Sequence, residues 1–276
     1  MAVVLHRLWV TTMNKPRLIF TLALNGYHLR YRQCIAAQRQ YAERVGAEYL
    51  AVTKPSVHSL CNEVAWLKLY LIRDALQCGY AEVMFIDADA QPRADAPDFS
   101  EAMSVGRSIF AANGYSGRIN SGVLIFRAGP ESLAFLNRVI AAMTMTLPQE
   151  DEVGWGENGH IIHFLKTESR FQRISSRWNN NYCPQMNDYI RHYSAGPLRD
   201  MFKPRLGEVI GFYGYRIIMR LLRSIAKAES GGSPSQQLEA LCKAVRTNLP
   251  RNSALSTATP RITPHIYCEN SLPHKK

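Results

Sequence analysis

Val83-Met84-Phe85-Ile86-Asp87-Ala88-Asp89-Ala90 is the stretch on which the fold turns. Four uninterrupted apolar residues read as a strand buried on both faces, and such strands belong to parallel sheets covered by helices. Upstream, Glu63–Leu76 has helical spacing and closes near Gly79, and Glu48–Thr53 (EYLAVT) reads as a strand. Further back, Leu29–Val45 is helical with Gly46 as its C-terminal cap, and Arg17–Ala23 (RLIFTLA) is a strand between Pro16 and Asn25-Gly26. Strand, helix, strand, helix, strand is the alternation of parallel crossover units. The expected fold class is α/β, a single Rossmann-like domain with a mainly parallel central sheet flanked by helices. Downstream, Ser108–Ala112 and Gly122–Arg127 are further strands, and Ser132–Met143 and Gly159–Lys166 further helices.

With 276 residues, of which 46% are hydrophobic and 20% charged, the chain can bury a sizeable core, which excludes a disordered or fibrous protein. Its net charge of +11 is uneven: residues 1–210 hold 23 Lys and Arg against 19 Asp and Glu, and residues 211–276 hold 10 against 3. A near-neutral body with a basic appendage is the wrong distribution for a nucleic-acid-binding globule and the right one for contact with an anionic surface. Three regions are expected: a folded domain over 15–207, a basic amphipathic helical tail over 208–247, and a disordered end over 248–276, rich in Pro, Ser, Thr and Asn. The six cysteines show no C-x-x-C spacing and read as thiols in a reducing compartment. The N-terminal MAVVLHRLWV is broken by His6 and Arg7 and is too short for a signal peptide, and no run is long enough to span a membrane. The expected location is cytoplasmic, in solution or peripheral on the inner face of a membrane.

In an open α/β sheet, ligands bind at the carboxyl ends of the strands, where Asp87 and Asp89 fall. Two hard oxygen donors there suit Mg²⁺ or Mn²⁺ shared with the oxygens of a substrate's phosphates. The same pair can also simply solvate a turn, so the surrounding motifs decide.

Those motifs are Trp66-Leu67-Lys68 about twenty residues before the pair, Asn120-Ser121-Gly122-Val123 about thirty after it, Trp155-Gly156-Glu157-Asn158, and His192-Tyr193-Ser194-Ala195-Gly196. In this order the sequence resembles the metal-dependent nucleotide-sugar glycosyltransferases of the A-type fold over roughly residues 15–207, in particular the retaining galactosyl-, mannosyl- and xylosyltransferases with a D-x-D motif. Glu157-Asn158 stands where that family usually has Asp-Gln. The resemblance implies a nucleotide-diphosphate sugar donor, with a UDP-sugar favoured, and a glycan or glycolipid acceptor. It implies Mn²⁺ or Mg²⁺ on Asp87 and Asp89 with His192 as a third ligand, whose binding weakens as the pH falls below about 6. Glu157 and Asn158 become the catalytic candidates, as a carboxylate under the sugar and its hydrogen-bonding neighbour. Lys68 becomes a point charge toward the diphosphate.

Thr21 and Tyr27, at the end of the first strand, are placed for the nucleotide base, with Tyr27 available for stacking. Asn120 is a candidate for substrate hydroxyls or for holding the turn before its strand. Trp178, beside Asn179-Asn180-Asn181, is a candidate sugar platform or a buried tryptophan in a polar loop.

In the tail, Tyr213–Ala228 reads as a helix in which Arg216, Arg220, Arg223 and Lys227 share one face, while Ile217, Ile218, Leu221, Leu222 and Ile225 cover much of the rest. Such a helix lies in an anionic membrane surface or packs its apolar side on the domain. Two functions compete with glycosyl transfer: a Mg²⁺-dependent phosphatase of the haloacid-dehalogenase type, and a non-catalytic membrane-attached protein that binds sugar or nucleotide sugar. The phosphatase pattern wants D-x-D on the first strand and a later acidic pair, and neither is present here.

Overall fold

The computed structural model describes residues 16–56, 60, 62–154, 156–225 and 232–246. The expectations for the N-terminal segment, Cys61, Trp155, Lys227, Cys268 and residues 248–276 lie outside the described residues, as does the end of the tail helix.

In chain order the elements are β1 (Arg17–Leu22), α1 (Tyr27–Arg30), α2 (Arg32–Arg44), β2 (Glu48–Val52), α3 (Leu67–Gln77), β3 (Glu82–Ile86), β4 (Ala90–Pro92), β5 (Ile109–Asn113) and β6 (Ile119–Arg127). They continue with α4 (Pro130–Ala141), α5 (Asn158–Leu165), β7 (Phe171–Ile174), β8 (Ile190–His192), α6 (Leu206–Ile225) and α7 (Pro234–Arg246). The main sheet has the order β2-β1-β3-β6-β5-β7. β1 pairs in parallel with β2 and β3, β5 pairs in parallel with β7, and β6 runs antiparallel between β3 and β5. The mainly parallel α/β fold expected from the apolar run is therefore present, with Val83, Met84, Phe85 and Ile86 fully buried at its centre.

Two features of this topology build the site. The chain passes from β1 to β2 on one side and to β3 on the other, so a crevice opens beyond the carboxyl ends of β1 and β3. Because β6 is antiparallel, its N-terminal residues arrive at that same edge. The β5–β6 register jumps from Ala111↔Leu124 to Ala112↔Asn120, a bulge that releases Ser121–Val123 from β5 and leans them over the end of β3.

The packing extends beyond the domain boundary expected near residue 207. Leu238, Leu241, Cys242 and Val245 of α7 recur at helical spacing and are buried in the same core as Leu67, Tyr70, Leu71 and Ala75 of α3. Each such side chain contributes about 1.5–3 kcal/mol on burial. α3 is buried nearly all round because it lies between the sheet and α7. α6 starts at Leu206, earlier than the sequence suggested, and packs on α1. Cys34, Cys78, Cys183 and Cys242, the cysteines among the described residues, form no disulfide.

Candidate metal and substrate site

The backbone leaves β3 at Ile86 and turns through Asp87-Ala88-Asp89 into β4. Asp87 N–H donates to Gly122 O at 2.7 Å, tying the turn to the leaning segment of β6. From α2, the buried Gln38 donates through Nε2 to the carbonyls of Asp87 (2.8 Å) and Ala90 (2.7 Å), while Tyr49 OH donates to Gln38 Oε1 at 3.0 Å. β4 pairs with β8 so that Ala90 faces His192, and Tyr193 N–H donates to Asp89 O at 3.0 Å. This two-stranded ladder carries a histidine from far along the chain onto the acidic turn. His192 Nε2 lies 3.1 Å from Asp89 Oδ1 and 3.5 Å from Asp87 Oδ2, and one ligand atom from each of the three residues falls within 4.8 Å of the others.

Asn179 sets the tautomer of His192. Its Nδ2 donates to Asn120 O (3.0 Å) and Oδ1 (2.9 Å), which turns Asn179 Oδ1 toward His192 Nδ1 at 2.8 Å. Nδ1 is therefore a donor, and Nε2 faces the two carboxylates as a free ligand atom once it is deprotonated. The donor set of two carboxylates and one imidazole fits a divalent cation such as Mn²⁺. Gly122 shows the same fit sterically: a Cβ there would lie 2.2 Å from His192 Cε1 and 2.8 Å from Asp87 Oδ2, so only glycine lets the three side chains converge.

Burial disfavours a charged imidazole, but Asp89 and then Asp87 outweigh it, and the pKa of His192 is raised. Burial likewise disfavours a charged Asp89, yet His192 holds that carboxyl below the usual range. A raised histidine pKa stabilises the fold fully below about 6.5, and that contribution disappears as the pH rises through the folded-state value. A proton and a cation held by the triad would compete for Nε2, so Mn²⁺ affinity should rise with pH across this same window. The competition begins above the pH of about 6 expected for an unperturbed imidazole. Thermal shifts measured with and without Mn²⁺ from pH 5 to 9 check this, and a shift independent of pH would remove His192 from the ligand set.

Next to the triad, Lys68 reaches in from the first turn of α3. Its Nζ lies 2.8 Å from Glu157 Oε1, 3.6 Å from Asp87 Oδ1 and 4.6 Å from the centre of the Phe85 ring. Burial works against this charge, but Asp87 and Glu157 outweigh it and raise the Lys68 pKa. Glu157 is 2% exposed and also accepts from Ser121 Oγ at 2.6 Å. Asn158 Oδ1 accepts from Ser121 N–H at 2.8 Å, and Asn120 Oδ1 from Gly122 N–H at 2.9 Å. Both amides hold the start of β6 in place.

A cavity of about 630 Å³ opens over these groups, lined by Tyr27, Lys68, Asp87, Asp89, Asn120, Glu157, Asn158 and His192, a volume suited to a small-molecule ligand. Thr21 and Trp178 do not line it. Thr21 lies inside β1 with its hydroxyl buried and unpartnered among the described residues, while the next residue, Leu22, lines the cavity. Trp178 is buried with Phe99 and Ile190, its ring 5.0 Å from that of Tyr189. Gln38, Ser121, Asn179, Tyr31 and Arg199 were not anticipated. Tyr31 and Arg199 also line the cavity, and Tyr31 stacks on Tyr27 with ring centres 5.7 Å apart.

No protein-family model matches the sequence, and no curated protein matches it. Among solved structures, the chain is similar to a glycosyltransferase involved in the glycosylation of the major capsid of PBCV-1, with a TM-score of 0.53 and 9% identity over 73% of this chain and 99% of that one. It is also similar to the glycosyltransferase GlyE of Streptococcus pneumoniae TIGR4, with a TM-score of 0.47 and 14% identity over 87% of this chain and 66% of that one. The fold is thus one used by glycosyltransferases. No helix among the described residues is long and apolar enough to cross a membrane.

Proposed function

We propose that this protein is a nucleotide-sugar-dependent glycosyltransferase that moves a hexose or pentose, from a UDP-sugar by preference, to a glycan or lipid-linked acceptor with retention of configuration. The observation that carries this reading is the convergence of Asp87, Asp89 and His192 at the floor of a cavity beyond the carboxyl ends of β1 and β3, in a fold that glycosyltransferases use. Asp87, Asp89 and His192 would hold Mn²⁺ or Mg²⁺. When bound, the cation supplies Lewis-acid charge that offsets the negative charge developing on a leaving diphosphate.

The chain's own residues divide the remaining work. Tyr27, stacked on Tyr31 at the cavity wall, offers a face for the base. Arg199 and Lys68, which both line the cavity, would bring positive charge toward the diphosphate. Glu157, held by Lys68 and Ser121, is the carboxylate placed to support or attack the anomeric carbon, with Asn158 keeping β6 in register beside it. A lipid-carried acceptor requires the cavity to sit at a membrane surface, and α6 would be the element that holds it there.

The test is hydrolysis of UDP- and GDP-sugars by the full chain with Mn²⁺, after chelation, and after Mn²⁺ is restored. Hydrolysis of a UDP-sugar that is lost on chelation and recovered with Mn²⁺ is expected. Mg²⁺-dependent release of inorganic phosphate from phosphomonoesters, with no hydrolysis of any nucleotide sugar, would instead favour a phosphatase.

A further inference from the structure

The tail helix was expected either to pack on the domain or to lie in a membrane. In the structure α6 has a face for each. One face is docked: Glu208 accepts from Gln33 Nε2 (2.9 Å) and Arg205 N–H (2.7 Å), Phe212 packs edge-on to Tyr27 at 5.7 Å, and Tyr215 packs edge-on to His28 at 5.6 Å and bonds to Ser56. These three residues recur at i, i+4 and i+7, one helical face. Phe212 and Tyr215 press on Gly26, whose φ of 90° and whose distance of 2.9 Å from a would-be Cβ to Tyr215 Cδ1 both call for glycine.

Leu206, Ile210, Tyr213, Ile217 and Leu221 recur at i, i+4, i+7, i+11 and i+15, on the side of the helix opposite that docked face. All five are more than half exposed, although the helix is already held in place without them. Arg216 and Arg220 are exposed along one flank of this stripe, Arg216 with its guanidinium 5.4 Å from the centre of the Phe212 ring, and the only acidic residue of α6, Glu208, is buried on the docked side.

We propose that this outer stripe of α6 inserts into the interface of an anionic lipid bilayer, with Arg216 and Arg220 reaching lipid phosphates, and that the sugar acceptor is therefore carried on a membrane lipid. An apolar stripe flanked by cations with no exposed acid is the composition of a helix lying in the membrane plane, whose arginine stems cover apolar surface while their heads stay at the phosphates. A second copy of this chain is the poorer occupant. A two-fold contact would face this cation-flanked stripe with a second copy of itself, which offers no exposed acidic residue on α6 to offset Arg216 and Arg220, in a protein of net charge +11. Tyr27 links the two halves of the proposal: it carries Phe212 on one side and lines the cavity on the other, so a bilayer that holds α6 also holds the cavity wall beside its surface. The choice of acceptor rests on the glycosyltransferase reading; the lipid contact does not.

The experiment is co-sedimentation of the full chain with phosphatidylcholine vesicles, with and without phosphatidylglycerol. Binding is expected only with phosphatidylglycerol. Arg216→Gln and Arg220→Gln should each lower it about fivefold, the worth of one cation at an anionic surface. The pair Ile217→Ser and Leu221→Ser should lower it at least about tenfold. All of these variants should hydrolyse donor in solution at the wild-type rate. The proposal is overturned if the stripe variants bind as the wild type does, if phosphatidylglycerol makes no difference, or if the protein is a dimer that the stripe substitutions dissociate. Vesicle binding that follows the stripe in a chain that never hydrolyses donor would sink the catalytic reading and leave the membrane face standing.

Discussion

Asparagine in place of Asp87 or Asp89 lowers Mn²⁺-dependent donor hydrolysis by about a hundredfold or more and leaves the protein folded. Both side chains stand at the end of β3 rather than in the core, so the substitution removes a ligand charge without opening a cavity. Gly122→Ala reaches the same result by a different physical route. Its Cβ would fall 2.2 Å from His192 Cε1 and 2.7 Å from Nδ1, and neither His192 nor Asp87 can retreat cheaply. His192 is held by Asn179 and by the β4–β8 ladder, and Asp87 by its backbone bond to Gly122 O. The alanine variant should keep its far-UV circular dichroism and lose the thermal shift produced by Mn²⁺. Near-normal Mn²⁺-dependent turnover in Gly122→Ala or in either asparagine variant would overturn the assignment of the triad.

The core of the sheet was legible because β3 is apolar on both faces and β1 and β2 alternate with helices, patterns that depend only on local sequence. The acidic pair was legible for the same reason, since a strand delivers it to a known edge. The ladder that completes the site was not. β4 and β8 have three residues each, too short for any periodicity, and only their pairing shows why His192 meets Asp89. Gln38 was hidden in another way: it lies on an otherwise ordinary helix, and its role exists only because two carbonyls of the acidic turn need donors.

Composition left Trp178 beside three asparagines with two readings, a sugar platform or a buried tryptophan in a polar loop; the ring lies in the core, and it is Asn179 that serves the site, through His192. Leu238, Leu241, Cys242 and Val245 carry the spacing of a packed helix face, but the polar residues between them and the basic charge of the tail masked it. Of the outer stripe of α6 only Ile217 and Leu221 were read from the sequence as apolar helix residues, because the helix starts seven residues earlier than its pattern suggested; that a second face of the same helix is docked on α1 follows only from the position of Gly26, Tyr27 and His28.

Lys68→Met destabilises the protein by about 3–5 kcal/mol, because it leaves the Glu157 carboxylate buried with Ser121 Oγ as its remaining close donor. Glu157→Gln costs less, since Lys68 still has Asp87 at 3.6 Å and the carbonyl of Ser121 at 3.4 Å. The double variant recovers much of the loss, because a neutral pair of similar volume carries no uncompensated charge. A coupling of about 2 kcal/mol or more between the two sites is therefore expected in a denaturant-unfolding cycle. Kinetics separate this structural debt from chemistry. If Glu157 acts at the anomeric carbon, Glu157→Gln lowers kcat by about a hundredfold with little change in donor KM, the pattern of an interaction made in the transition state. Lys68→Met should raise KM as well, since its charge also faces the cavity that the diphosphate would fill. Additive stabilities in the cycle would show that Lys68 and Glu157 do not act as a pair, and a rise in KM alone for Glu157→Gln would move that carboxylate from catalysis to binding.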